Sequence, residues 1–192
     1  MTRREVLYAA TTSVIVLGVA AALWPVIDQM NPDASVKLPE VDVDLSSIGP
    51  GQSLTVMWQH KPIFIRNREP EDIIKARATP LSVLADTEAR VMDAEMPLPA
   101  TDENRTKTGE ENWLVVVGLC THDSCVLSGQ KAEETRGDYG GWFCPCCAAH
   151  YDTSGRTRTG IARQNLRVPP YRFASASRLI IGCGLCRATF LG

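Results

Sequence analysis

Two stretches decide how this chain is read: Cys120-Thr121-His122-Asp123-Ser124-Cys125 and Cys144-Pro145-Cys146-Cys147-Ala148-Ala149-His150-Tyr151-Asp152. Each follows a run with strand character, Trp113 to Leu119 before the first and Gly140 to Phe143 before the second. Metal-ligating side chains at the tips of paired hairpin loops converge on one ion or cluster, as in zinc ribbons and iron–sulfur loops. Cys120 and His122 stand two apart, and the second cysteine group begins 24 residues further on. That spacing marks a metal or cluster site. The competing reading is a set of disulfides, Cys120 to Cys125 included, in an exported head. It leaves His122 and the crowding of Cys144, Cys146 and Cys147 without a purpose.

None of the seven cysteines precedes residue 120, so this chemistry belongs to the C-terminal part of the chain. A length of 192 residues suits one globular domain plus an accessory segment. With 44% hydrophobic and 22% charged residues, the chain is neither disordered nor a multi-span membrane protein. Lys and Arg number 20 against 22 Asp and Glu, a net charge of −2. No cationic excess exists to neutralise a phosphate backbone, which argues against a nucleic-acid partner.

Leu7 to Trp24 runs 18 residues without a charge. At about 1.5 Å per residue this comes close to the roughly 30 Å hydrocarbon core, and it exceeds the roughly 7 to 15 apolar residues of a cleaved signal peptide. Residues 1–30 are therefore expected to hold a cytoplasmic tip and a transmembrane helix. Arg3-Arg4 just before the run places the N-terminus inside by charge bias. The same pair looks like a twin-arginine export signal, a route suited to a head that receives its cofactor before export. Residues 31–40, with Pro32 and Pro39, read as a tether. From residue 41 to 192 the pattern is that of a head built from short strands. Val41, Val43 and Leu45 alternate with acids, and Leu54–Trp58 with Pro62–Ile65 flank a hairpin turn at Gln59-His60-Lys61. Glu69 to Arg77 reads as one short helix, and polar Met92 to Gly109 as a surface excursion. Trp113–Val117 and Arg178–Ile181 complete a mainly β, antiparallel set expected to form a sandwich or barrel.

Along almost its whole length the chain resembles the Rieske iron–sulfur subunit of ubiquinol–cytochrome c reductase. That family's boxes read Cys-Thr-His-Leu-Gly-Cys and Cys-Pro-Cys-His-Gly-Ser-His-Tyr-Asp. The likeness includes Trp24-Pro25, Gln29-Met30-Asn31, Lys61 to Arg66, Ala100 to Arg105, Gly137 to Phe143 and Ser154-Gly155-Arg156. The resemblance implies a Rieske fold: one transmembrane helix, a flexible tether and an antiparallel β-sandwich head with a small cluster-binding subdomain at about 118–166. It implies a [2Fe-2S] cluster that takes an electron from quinol and passes it to a c-type cytochrome. It also implies cytochrome b and c-type cytochrome partners with quinol at the interface, in a dimeric complex. The head would face the periplasm from the bacterial inner membrane, anchored by a single pass. By the same resemblance Cys120 and Cys144 hold the inner iron, and His122 is a ligand of the outer one. Cys147 stands where the family has the remaining ligand, Cys125 and Cys146 form a disulfide, and Tyr151 donates a hydrogen bond beside the cluster. No residue of the chain is expected to be catalytic in its own right.

Cys147 in place of histidine is the largest departure. A thiolate adds a negative charge, lowers the potential and is a poor acceptor for a quinol proton. Ala149 lacks the family's serine hydroxyl, Asp123-Ser124 replaces Leu-Gly, and Gly160-Ile161-Ala162-Arg163 lacks the prolines of the third loop. His150 aligns with a family histidine that is not a ligand. Two alternatives follow: a paralogue whose low-potential cluster has three cysteines and one histidine, or a non-redox subunit holding zinc or only disulfides. Cys183-Gly184-Leu185-Cys186 reads as a tail disulfide or free thiols and is given no function.

Overall fold

The computed structural model describes residues 3–30 and 40–182. Two compact units divide the chain, Met1–Lys37 and Leu38–Gly192. All of the expected tether except Glu40, and the tail pair Cys183 and Cys186, lie outside the described residues.

The first unit holds one helix, α1 (Arg3–Met30), of 28 residues with Pro25 inside it. At 1.5 Å per residue it is about 42 Å long, and it contains the whole Leu7–Trp24 run. Among the described residues no helix is long and apolar enough to cross a membrane. Several α1 side chains, those of Leu7 and Val14 included, lie outside those residues.

The second unit runs β1 (Val41–Asp44), β2 (Ser53–Trp58), β3 (Lys61–Asn67), α2 (Pro70–Ala78), β4 (Trp113–Val117), β5 (Gly140–Phe143), β6 (His150–Asp152), β7 (Thr157–Thr159), β8 (Tyr171–Ser175) and β9 (Arg178–Ile181). The strands make three antiparallel three-stranded sheets, ordered β1-β9-β8, β2-β3-β4 and β5-β6-β7. The head is thus mainly β and antiparallel, as its alternation and turn signals require. The β2–β3 hairpin closes on two residues rather than three. Trp58 pairs with Lys61, while Gln59 and His60 take φ of 49° and 59°. Two left-handed residues form the tight turn whose twist matches that of the strands. α2 begins with Pro70, where a missing N–H costs nothing. Its acids lie in the first turn and its bases in the last, matching the helix dipole.

All five residues of β4 are buried, so its apolar run forms the middle of the core with Ile63, Phe64 and Ile65 of β3. β4 leads into the first cysteine box, and β5 and β6 flank the second, so the core positions both loops.

The expectation of a surface excursion over Met92–Gly109 is corrected in its second half. Ala100, Asp102, Arg105 and Thr106 are buried, the last three despite their polarity. Asp102 accepts from Arg68 at 2.5 Å and from the Ser154 hydroxyl at 2.7 Å. The Arg105 guanidinium donates to the carbonyls of Ala89, Ser154, Gly155 and Leu166. Buried polar groups persist when each finds a partner, so polar composition misplaced this segment.

Removing one member of a buried ion pair strands the other. Arg68 and Asp102 are both fully buried, so Asp102→Ala is expected to cost about 3–5 kcal/mol of head stability. A urea unfolding curve with an unchanged midpoint would show that this pair does not hold the segment down.

Candidate metal centre

Each cysteine box is a hairpin loop closed by its own backbone. In the first, Leu119 bridges Val126, the Cys120 N–H donates to the Cys125 carbonyl at 2.8 Å, and the Ser124 N–H donates to the Cys120 carbonyl at 3.0 Å. In the second, the Cys144 N–H donates to the Ala149 carbonyl at 2.8 Å, and the Ala148 N–H donates to the Cys144 carbonyl at 2.9 Å. Ser124 and Ala148 both have positive φ, 59° and 52°. The two loops therefore share one backbone pattern, a leading cysteine followed four residues later by a left-handed residue.

Three connections hold the loops together. Ser128 bridges Phe143, and Cys125 is disulfide-bonded to Cys146, as the resemblance implied. The third loop packs on the second through Gly160, where a Cβ would lie 2.6 Å from the Ala149 Cα and φ is +100°. Only glycine meets both conditions.

Inside this frame the donor atoms of Cys120, Asp123, Cys144 and Cys147 all lie within 4.8 Å of one another. The Cys120 and Cys147 sulfurs are 3.5 Å apart, and Cys144 Sγ is 3.7 and 3.9 Å from the two Asp123 oxygens. Cys120 and Cys144 are buried and Cys147 half-buried. Burial raises the Cys144 thiol above its usual range, and burial with the neighbouring Cys144 and Cys120 thiols pushes Cys147 up to about 12. The Cys125 N–H donates to Asp123 Oδ1 at 3.1 Å. That bond, aided by the Cys120 and Cys144 thiols, holds the Asp123 carboxyl below its ordinary range. The Tyr151 hydroxyl reaches Cys120 Sγ at 3.6 Å and accepts from the Thr121 N–H at 3.3 Å. Burial raises its pKa.

The residues expected at the site are thus divided. Cys120, Cys144 and Cys147 converge, Tyr151 stands against Cys120, and the Cys125–Cys146 bridge staples the frame. His122 is 46% exposed and outside the convergent set, with Nδ1 4.0 Å from Asp123 Oδ2. His150 faces elsewhere: its Nδ1 accepts from the Asp138 N–H at 3.1 Å, and its ring packs edge-on against Phe143. Sequence reasoning noticed Asp123 only as a charge in an apolar position. Its place among the donors was legible in its spacing, three residues after Cys120 as Cys147 is three after Cys144.

The donor set fits a metal centre. Soft thiolates select iron–sulfur clusters or zinc over the oxygen-loving cations, and buried thiols with raised pKa values ionise fully only against a cation. Beside the group opens a cleft of about 180 Å³, lined by Trp58, Met92, Leu119, Cys120, Thr121 and Gln164 among others.

The comparisons point to one family. A family model described as "Ubiquitinol-cytochrome C reductase Fe-S subunit TAT signal" matches residues 1–33. A protein of Rickettsia typhi called ubiquinol-cytochrome c reductase iron-sulfur subunit is 48% identical over 183 residues, covering 94% of this chain and 93% of its own. Proteins of the same name from Rickettsia felis and Rhodospirillum rubrum are 46% and 45% identical, each across 94% of this chain and 93% and 91% of theirs. Among solved structures, one called "Hyperthermophilic respiratory Complex III" matches at 17% identity over 90% of this chain and 98% of its own, with a TM-score of 0.43, too slight a likeness to carry an argument. On near-half identity across almost its full length, this chain belongs to the family of the ubiquinol–cytochrome c reductase iron–sulfur subunit.

Proposed function

We propose that this chain carries electrons from quinol to a c-type cytochrome through a [2Fe-2S] cluster in its head. The observation that carries the proposal is the convergence of three free thiols on two loops of one backbone pattern, stapled by a disulfide. Cys120, Cys144 and Cys147 supply three ligands. The first box supplies the fourth, which the family pattern gives to His122. A cluster bound there would supply one-electron transfer. Tyr151 lends a hydrogen bond to the Cys120 sulfur, and such bonds to sulfur raise a cluster's potential.

The cleft beside Cys120, at about 180 Å³, is smaller than the roughly 300–1,000 Å³ of ordinary ligand pockets. A quinol is accordingly met at an interface with a second subunit, a cytochrome b, and the electron leaves to a c-type cytochrome subunit, the whole paired as a dimer. Residues 1–30 are the single-pass anchor in the bacterial inner membrane, exported through the arginine pair, with the head in the periplasm. Residues 31–40 are its tether, 41–192 its head, and about 118–166 the cluster-binding subdomain.

A second reading is favoured by Cys147. Three thiolates make the centre more electron-rich than two, which suits a low-potential relative serving another redox partner. Four donors within 4.8 Å of one another are also compact enough for a single tetrahedral zinc.

Two outcomes test the proposal. Cys144→Ser is expected to remove iron, acid-labile sulfide and the visible spectrum together, and a variant that keeps them would refute the ligand assignment. Cys147→His is expected to raise the midpoint potential toward the Rieske range of about −150 to +300 mV. A redox titration that finds no change would mean that Cys147 binds no iron.

A further inference from the structure

We infer that Asp86 is a positioning residue for the metal centre, acting through the Gln164–Asn165 peptide to hold the Tyr151 hydroxyl against the Cys120 sulfur. The inference rests on the iron–sulfur reading, and it gives a part in the centre to a residue 34 positions before Cys120.

The contacts start at the sulfur and lead away from it. The Tyr151 hydroxyl donates to Cys120 Sγ at 3.6 Å and accepts from the Thr121 N–H at 3.3 Å, with Thr121 Oγ1 3.2 Å away. The Thr121 hydroxyl gives its one proton to the Gln164 carbonyl at 2.8 Å. That carbonyl and the Asn165 N–H belong to one planar unit, because the peptide bond between them does not rotate freely. The bond is trans, so the two groups point in opposite directions from one rigid plate. The N–H end donates to Asp86 Oδ2 at 2.9 Å. Gripping this end of the plate aims the other end at Thr121.

The grip is itself fixed. Asp86 is buried, and its carboxylate accepts from Arg90 Nε at 2.8 Å and from the Glu88 N–H at 3.1 Å. The Asn165 side chain is fully buried, donates to the carbonyls of Asp86 and Glu88 at 2.9 and 2.7 Å, and accepts from the Thr157 N–H at 2.9 Å. Buried polar groups satisfied in this way have one arrangement to keep. Gly160-Ile161-Ala162-Arg163 holds no proline to set its own backbone, so the stretch before Gln164 relies on contacts of this kind. Hydrogen bonds to a ligating sulfur help set a cluster's potential. Released from the Gln164 carbonyl, the Thr121 side chain rotates, the Tyr151 hydroxyl loses its hold beside the sulfur, and the potential falls.

The test compares the full chain, carrying its native metal, with Asp86→Asn and Asp86→Glu, each made with Tyr151 present and in a Tyr151→Phe background. Asp86→Asn removes a negative charge, but that effect is common to both backgrounds and cancels in the comparison. Asp86→Glu keeps the charge and moves the carboxylate by one methylene, and it carries the test if Asp86→Asn does not fold. The midpoint potential is read by redox titration, and the Thr121 amide by hydrogen exchange. The expected result is that each substitution lowers the potential more with the Tyr151 hydroxyl present than without it. Exchange at Thr121 should become about tenfold faster. Shifts in potential that are equal in the two backgrounds, or less negative with the hydroxyl present, would overturn the inference and leave the iron–sulfur reading standing. A native chain without iron and acid-labile sulfide would overturn that reading instead. Exchange at Thr121 in the same variants would then decide the grip, with faster exchange supporting it and an unchanged rate overturning it.

Discussion

A guanidinium taken out of water must find oxygen, and that constraint organises the head. Its strands are three to seven residues long, too short for ladders alone to fix the loops between them. Buried arginines do so instead. Arg66 donates to the Gly129 carbonyl at 2.5 Å and the Gly141 carbonyl at 3.2 Å, and lies 4.0 Å over the Trp142 ring. Those two carbonyls belong to the chain leaving the first cysteine box and entering the second. Arg105 gathers carbonyls on either side of β7, and Arg156 joins Asp152 to the carbonyls of Ala76 and Ala100. Burial lowers Arg66 to about 9 and Arg105 to about 10. Both remain charged at neutral pH, and charge-assisted bonds to carbonyls are stronger than neutral ones.

Upon that frame the metal centre is a problem of like charges. Burial opposes ionising the Cys144 and Cys147 thiols, and for Cys147 the neighbouring Cys144 and Cys120 thiols add to it. A cation reverses the balance, and each ligand that binds gives up its proton. The loops must hold this geometry before the charge arrives. The Cys125–Cys146 bridge closes 21 residues of sequence separation. In the chain-entropy account a loop of this size contributes about 3 kcal/mol by restricting the unfolded chain. It also immobilises the N–H that orients Asp123.

Sequence reasoning reached the elements whose physics is local. β1, the β2–β3 hairpin, α2, β4 and β9 announce themselves through alternation, apolar runs and a proline at a helix start. The burial of Asp102 and Arg105 was hidden, because polarity signals exposure unless the partner is known, and Arg68 and Ser154 lie 34 and 52 residues from Asp102. The three thiols of the site were legible from cysteine spacing, and their disulfide neighbours from resemblance. The approach of Asp123 to the thiols could be read from its spacing, three residues after Cys120 as Cys147 is three after Cys144, but the family pattern directs attention to the histidine beside it.

Two departures from the family's pattern add negative charge at the same place. Cys147 puts a thiol where the family has a neutral imidazole, and its sulfur lies 3.5 Å from that of Cys120. Asp123 sets a carboxylate within 3.7 Å of the Cys144 sulfur. A metal centre bound among these groups would sit in a more negative surrounding than the family's pattern supplies. Net charge helps set a cluster's reduction potential, so the added anions ease electron release and oppose electron capture.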